Sequence, residues 1–358
     1  MVVIFLLATG WGSYARAAKP AGASGVNLLP AQAEPSNAGG WFQRADDITN
    51  IRLPGAAPFH LKATFRAGPG LDFAKPGKST IVAGDGTYDE TWVSPEQWRR
   101  EITLGSYHAV EVRAGGVRKL QASSDYEPTR VLMFLDALYN PVPRNLISPE
   151  LIDRHAGWKI EHLAAGGLQH VRISSSTEVG ANGLRHELKH EYDFLANGVL
   201  IRNEESDYIS TTWQDFVAFG GKVVPRHVMA GGMGNTLIDG RVAIEPLAST
   251  PPADVFTLPG DPVTPGETLR PLHQYDVHYG EMLGTPAFGV FGEPFQGTVS
   301  GVVDRSGVPR EMEVIAAQDT SQADMYLKRF SEFRYAPSTI DGSPCEVVMR
   351  IFTLGAAH

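Results

Sequence analysis

The chain has 358 residues, 42 % of them hydrophobic and 20 % charged, with a net charge of −9. That is enough length for two domains and enough apolar content for a packed core, which excludes global disorder. The acidic balance carries no long basic run, so a nucleic-acid partner is not expected. The one cysteine, Cys345, excludes an internal disulfide and reads as a buried core thiol.

The chain opens MVVIFLLATGWGSYARAAKP. Val2 to Leu7 form a compact apolar run and Ala15-Arg16-Ala17 a small-residue step, so residues 1–17 read as an export signal, although no Lys or Arg precedes the apolar run. The run is shorter than the ~20 residues that span a bilayer, and no later stretch reads as a transmembrane span. A periplasmic or secreted location is therefore expected. Residues 18–44, rich in Ala, Gly, Pro and Ser, read as a flexible leader.

Residues 45–245 read as a β domain. Leu61, Ala63 and Phe65 alternate with His60, Lys62, Thr64 and Arg66, a half-buried strand. Tyr88, Glu90 and Trp92 alternate likewise, Ser94-Pro95-Glu96 turns the chain, and Trp98 to Leu104 returns. Tyr107 to Arg113 and Val117 to Ala122 pair about Gly115-Gly116. The period then changes: in PTRVLMFLDALY, Val131, Leu132, Leu135 and Leu138 share a helical face, Pro128 fits the first turn and Asn140-Pro141 ends it. A short helix is also expected at Pro149 to His155. Strands resume at Trp158 to Leu163, Leu168 to Ser175, Thr211 to Phe219, Lys222 to Met229 and Thr236 to Glu245.

Between them, residues 184–205 read LRHELKHEYDFLANGVLIRNEE. His186, Glu187 and His190 match the H-E-x-x-H pattern of zinc peptidases, which requires a helix to bring both imidazoles to one metal. Here Leu188, His190, Tyr192 and Phe194 stand at period two, and Asn197-Gly198 separates them from a second apolar run. The pattern predicts a hairpin. On a strand the two histidines lie ~13 Å apart and cannot share a zinc. No metal site, cofactor or catalytic set is expected. The neighbours Asp89-Glu90 and Glu204-Glu205 read as solvated charge, and His227 as a structural or exposed strand residue.

Residues 246–294 hold a proline-rich stretch, STPPADVFTLPGDPVTPGETLRP, and read as an extended linker. Residues 295–358 read as a small domain in the order strand, strand, helix, strand. Val299, Gly301 and Val303 alternate, Met312, Val314 and Ala316 face inward on the return strand, and Ser321 opens a helix bearing Met325, Tyr326, Phe330 and Phe333. In the last strand, Cys345, Val347, Met349 and Ile351 alternate with Glu346, Val348, Arg350 and Phe352.

Residues 295–354 resemble the TonB C-terminal domain. The resemblance rests on Val303-Asp304 with Gly307, on Glu313-Val314-Ile315, on Phe333-Arg334-Tyr335-Ala336-Pro337 and on Asp341-Gly342-Ser343-Pro344. Ala316-Ala317-Gln318-Asp319 replaces the family's small-residue step before the helix. The resemblance implies docking of an outer-membrane or other envelope protein by strand addition, along Cys345, Glu346, Val347, Val348, Met349, Arg350, Ile351 and Phe352.

Residues 56–245 resemble the LolA/LolB-like lipoprotein carriers in their successive antiparallel strands, the WVSPEQWRRE step, the single mid-chain helix and DFVAFGGKVVPRHV. The resemblance implies a mainly β fold, a curved antiparallel sheet forming an open half-barrel around one central helix. It implies a hollow for a lipid or acylated ligand, with Phe65, Trp92, Trp98, Leu132 and Leu135 as liners. The expected function is that of an exported cell-envelope binding protein, not an enzyme. The alternatives are a structural adaptor without ligand, which a filled core would favour, and the zinc peptidase.

Overall fold

The structure, a computed structural model, describes residues 35, 37–72, 80–124, 127–139, 142, 158–165, 168–178, 185–205, 209–232, 235–258, 277–278, 280, 282–284, 297–317, 323–340 and 342–353. The expected export signal at 1–17 and the expected helix at 149–155 lie outside these residues.

Twelve strands build one antiparallel sheet. They are β1 (Phe59–Asp72), β2 (Thr80–Ser94), β3 (Gln97–Leu104), β4 (Tyr107–Ala114), β5 (Val117–Ala122), β6 (Trp158–Ala165), β7 (Leu168–Glu178), β8 (Arg185–Leu195), β9 (Leu200–Glu205), β10 (Ile209–Phe219), β11 (Lys222–Gly232) and β12 (Asn235–Pro246). Their order is β5-β4-β3-β2-β1-β12-β11-β10-β9-β8-β7-β6. Two hairpin meanders, β1 to β5 and β6 to β12, thus meet where β1 pairs with β12, from Phe59↔Pro246 to Ala67↔Ile238. Among the described residues β5 and β6 are the two free ends, and the sheet does not close into a barrel. The open, curved antiparallel sheet that the resemblance implied is the one observed.

One apolar core fills the inside of the curve, joining Phe59, Leu61 and Phe65 of β1 to Tyr192 and Phe194 of β8 and to two helices. Helix α1 (Ala38–Thr49) falls partly in the stretch read as flexible leader, which therefore ends before Ala38. The Asn37 side chain accepts the Gly40 N–H at 2.8 Å and caps its start. Trp41, Phe42, Ala45 and Ile48 form its buried face. Phe42 meets Tyr192 edge-on at 4.9 Å and Phe194 at 5.4 Å. Helix α2 (Thr129–Tyr139) matches the expected mid-chain helix and buries Val131, Phe134 and Leu135 completely.

Two glycines set the depth of α2. Phe65 stands directly opposite Gly86 on β2 and Gly240 on β12. A Cβ at Gly86 would come within 2.3 Å of the Phe65 ring, and one at Gly240 within 2.9 Å of Phe134. Without those Cβ atoms, Phe65 lies flat on the sheet and stacks on Phe134 of α2, ring centroids 4.3 Å apart.

The stretch read as a linker is shorter than expected. β12 runs to Pro246, and Ala253–Phe256 form a 3-10 turn packed on β3 and β4. Two short strands, β13 (Val277–His278) and β14 (Met282–Gly284), belong to the C-terminal unit. That unit contains β15 (Gly297–Val303), β16 (Pro309–Ala317), α3 (Ala323–Phe330), β17 (Arg334–Tyr335), β18 (Thr339–Ile340), β19 (Ser343–Pro344) and β20 (Val347–Thr353). Its main sheet is β16-β15-β20, with β13 on β18 and β14 on β17. The expected order of strand, strand, helix, strand holds. Among the described residues no helix is long and apolar enough to cross a membrane.

Candidate functional site: the inner face of the open sheet

Of the five expected liners, Phe65, Trp92, Trp98 and Leu135 are buried and Leu132 is half-buried. Phe65 is stacked on Phe134 and Trp92 on Phe59, the latter pair at 5.3 Å. They are packed against their neighbours. A small pocket of about 20 Å³ lies instead between the ends of α1 and α2, lined by Ile51, Arg52, Leu61, Leu138, Trp213 and Phe216 among others. Such a volume holds about one water. A broader, open depression of about 620 Å³ is lined by Lys62, Thr64, Thr87, Asp89, Glu101 and Arg241 with small apolar neighbours. Its charges and hydroxyls do not suit an apolar chain.

The inner face has a second component. Across β1 to β5, Leu61, Glu90, Arg100, Glu111 and Leu120 stand opposite one another in a single row. The three central residues are charged, alternate in sign and are buried, Glu90 with no exposed surface. Glu90, read from sequence as solvated, therefore points into the core. Arg52, just after α1, closes the row at one end. Its Nε donates to Glu90 Oε1 at 3.1 Å and its Nη2 bonds Glu90 Oε2. Arg118 of β5 closes the other end by donating to Glu111. Arg100 Nη1 lies 3.6 Å from Glu111 Oε2.

Aromatic rings hold these guanidiniums flat. Arg52 lies 3.6 Å from the centre of Tyr139, and Arg100 lies 3.9 Å from Trp98. Tyr88 and Tyr139 meet through their hydroxyls. Burial opposes the Arg52 charge, but Glu90 outweighs it and raises the guanidinium above its ordinary value. Burial first, and Glu90 second, push the Tyr88 phenol well up, so it stays protonated and available as a donor. Tyr107 is raised by burial and by the charges of Glu127 and Glu111. Glu127 is also buried, just before α2.

The HELKH stretch lies on β8. His186 stands opposite Thr177 and His190 opposite Ile173 in a regular antiparallel pairing with β7. The helix that a zinc peptidase requires is replaced by a strand, as the Asn197-Gly198 turn predicted. No group of three His, Cys, Asp or Glu residues suited to a metal occurs among the described residues. His227 is structural: its Nε2 contacts Asp239 at 2.7 Å.

In the C-terminal unit, β20 is the edge strand among the described residues, paired on one side with β15. It covers Val347 to Phe352 of the expected docking strand. Cys345 and Glu346 precede it and are otherwise engaged, which corrects the start of that strand. The Cys345 N–H donates to Ser338 O at 2.9 Å, and Glu346 pairs with Arg310. The Cys345 thiol is buried, which pushes it up to about 11 and leaves it without thiolate reactivity at neutral pH.

No family model matches the chain, and no curated relative matches it. Among solved structures it is similar to a LolA superfamily protein from Nitrosomonas europaea, at 10 % identity over 63 % of this chain and 99 % of that one, with a TM-score of 0.27. A likeness at that score carries no functional argument.

The charged row escaped sequence reading because its members come from five separate segments and each looks solvent-directed in isolation. The available signal was parity. Glu90 shares its strand face with Tyr88 and Trp92, and Arg100 shares its face with Trp98 and Ile102.

Proposed function

We propose that the first unit binds an apolar or acylated chain inside its open sheet and that the C-terminal unit docks an envelope protein by strand addition along β20. One observation carries the ligand reading. Among the described residues the sheet ends in two unpaired strands, β5 and β6, and its interior is completed by the buried apolar faces of two helices instead of by strand closure. A helix can leave such a groove without breaking the sheet's hydrogen bonds, so the groove can exchange it for an apolar guest. β20 supports the docking reading because an edge strand offers unpaired backbone groups. A periplasmic or secreted location and an activity limited to binding complete the proposal.

The packed interior, with its pocket of about 20 Å³, favours a second reading, an adaptor that holds no ligand. Native mass spectrometry separates them. The protein, residues 18–358, would be exported in a Gram-negative host and purified without detergent. A co-purified lipid or acylated mass, lost from a variant lacking the first unit, is the expected result. A bare polypeptide mass, unchanged after incubation with lipid vesicles, would leave the adaptor reading standing.

A further inference from the structure

β4 is buried on both sides, unlike a strand with one solvated face. Ala109 and Glu111 point into the core, and Val110 and Val112 point out, yet these two are only 6 % and 3 % exposed. Neither joins the main core. The 3-10 turn Ala253–Phe256 packs against β3 and β4 and contributes Phe256, which is 4 % exposed. The chain is thus strapped down after leaving β12: the Leu247 N–H bonds Pro58 O at 3.1 Å and Phe256 then covers the outer face of β4. Thr257 closes the turn through its N–H and hydroxyl, both on Asp254 O. Ala253 and Asp254 are exposed and Val255 is half-buried, so Phe256 is the one fully buried side chain of the turn.

We infer that residues 247–257 form a releasable strap that sets how far the C-terminal unit can range from the first. With the strap seated, the connection to β13 starts beside β4 and comprises residues 259–276, which can span at most about 65 Å. With the strap released, the connection starts at the end of β12. The freed residues then add at most about 35–40 Å. The strap is anchored by contacts outside the main core, so its release leaves the sheet and both helices in place. The inference is independent of what, if anything, the first unit binds.

Two exposed residues report the span: Val117 at the start of β5, 53 % exposed, and Leu283 on β14, 69 % exposed. Spin labels on a V117C/L283C double variant of the full chain give the distance distribution by pulsed electron resonance, the native Cys345 being buried. Phe256→Asp should move the distribution to longer distances, and Phe256→Leu should keep that of the native chain. Circular dichroism should show the β structure intact in both. An unchanged distribution in Phe256→Asp would overturn the inference, because the strap would then not limit the span. Loss of β structure in that variant would overturn it too, because the turn would then be part of the core and not a releasable element.

Discussion

The two halves of the open sheet face the same interior with opposite chemistry. On the β7 to β12 side Val171, Ile173, Tyr192, Phe194, Trp213, Val228 and Ile238 point into the apolar core, with Gln169 the buried polar residue beside them. On the β2 to β5 side the middle row is Glu90, Arg100 and Glu111, closed by Arg52 and Arg118. The first wall gains stability from removed apolar area. The second has to offset the desolvation of five charges, so its pairs add little net stability while each charge depends on its neighbours. Their removal should therefore have different consequences.

The largest effect is expected from removing one buried carboxylate. Glu111→Ala takes an ionic partner from both Arg100 and Arg118, and should cost about 3–5 kcal/mol, read as a lower urea midpoint at unchanged m-value. Phe194→Ala on the other wall should cost a similar ~3–5 kcal/mol, so the singles alone do not separate the walls. The paired change does. Arg52→Met with Glu90→Leu removes both partners and should be close to neutral, or stabilising by about 1–4 kcal/mol. A loss as large as that of Glu111→Ala would show that the ionic pair is held for net stability, and the contrast between the walls would fail.

A smaller effect tests the seam between the walls. Gly86→Ala places a Cβ against the Phe65 ring, 2.3 Å away before relaxation. It should cost about 1–3 kcal/mol and loosen α2, visible as faster amide exchange in residues 131–138. The smallest effect concerns the outside of the apolar wall. Burial raises the Asp193 carboxyl, but hydrogen bonds from His170 and Arg202 outweigh it and hold the group below its ordinary value. Its contribution is present above the unfolded carboxylate range near pH ~3.9 and is lost as pH falls through the depressed folded value. Asp193→Asn should flatten that acid limb in urea titrations and leave the ionic wall's response to Glu111→Ala unchanged.

The sheet was legible because its strands alternate. Tyr88 and Trp92, or Tyr192 and Phe194, name an inner face without any long-range information. The HELKH hairpin was legible for the same reason. α1 was not read because Gly39-Gly40 follow a stretch rich in small residues. The spacing of Trp41, Phe42, Ala45 and Ile48, behind the Asn37 cap, was nevertheless a helical signal. The strap was obscured by Pro251 and Pro252, which suit an extended linker as well as the entry to a 3-10 turn. Whether Phe65 and Leu135 line a hollow or fill one depends on how deep α2 sits. That depth is fixed by Gly86 and Gly240, on strands far apart in sequence, and no local pattern reports it.

The pairing of β1 with β12 also bears on how the molecule is made. Each wall is a run of hairpins whose partners are sequence neighbours, and such contacts form early because they close short loops. β1 and β12 are separated by almost the whole first unit. During synthesis the leading wall therefore carries an unpaired strand edge, residues 59–67, until the last strand arrives. The vulnerable interval of this protein's life is the wait for β12, and a chaperone that shields β1 in that interval would guard the one junction that local folding cannot complete.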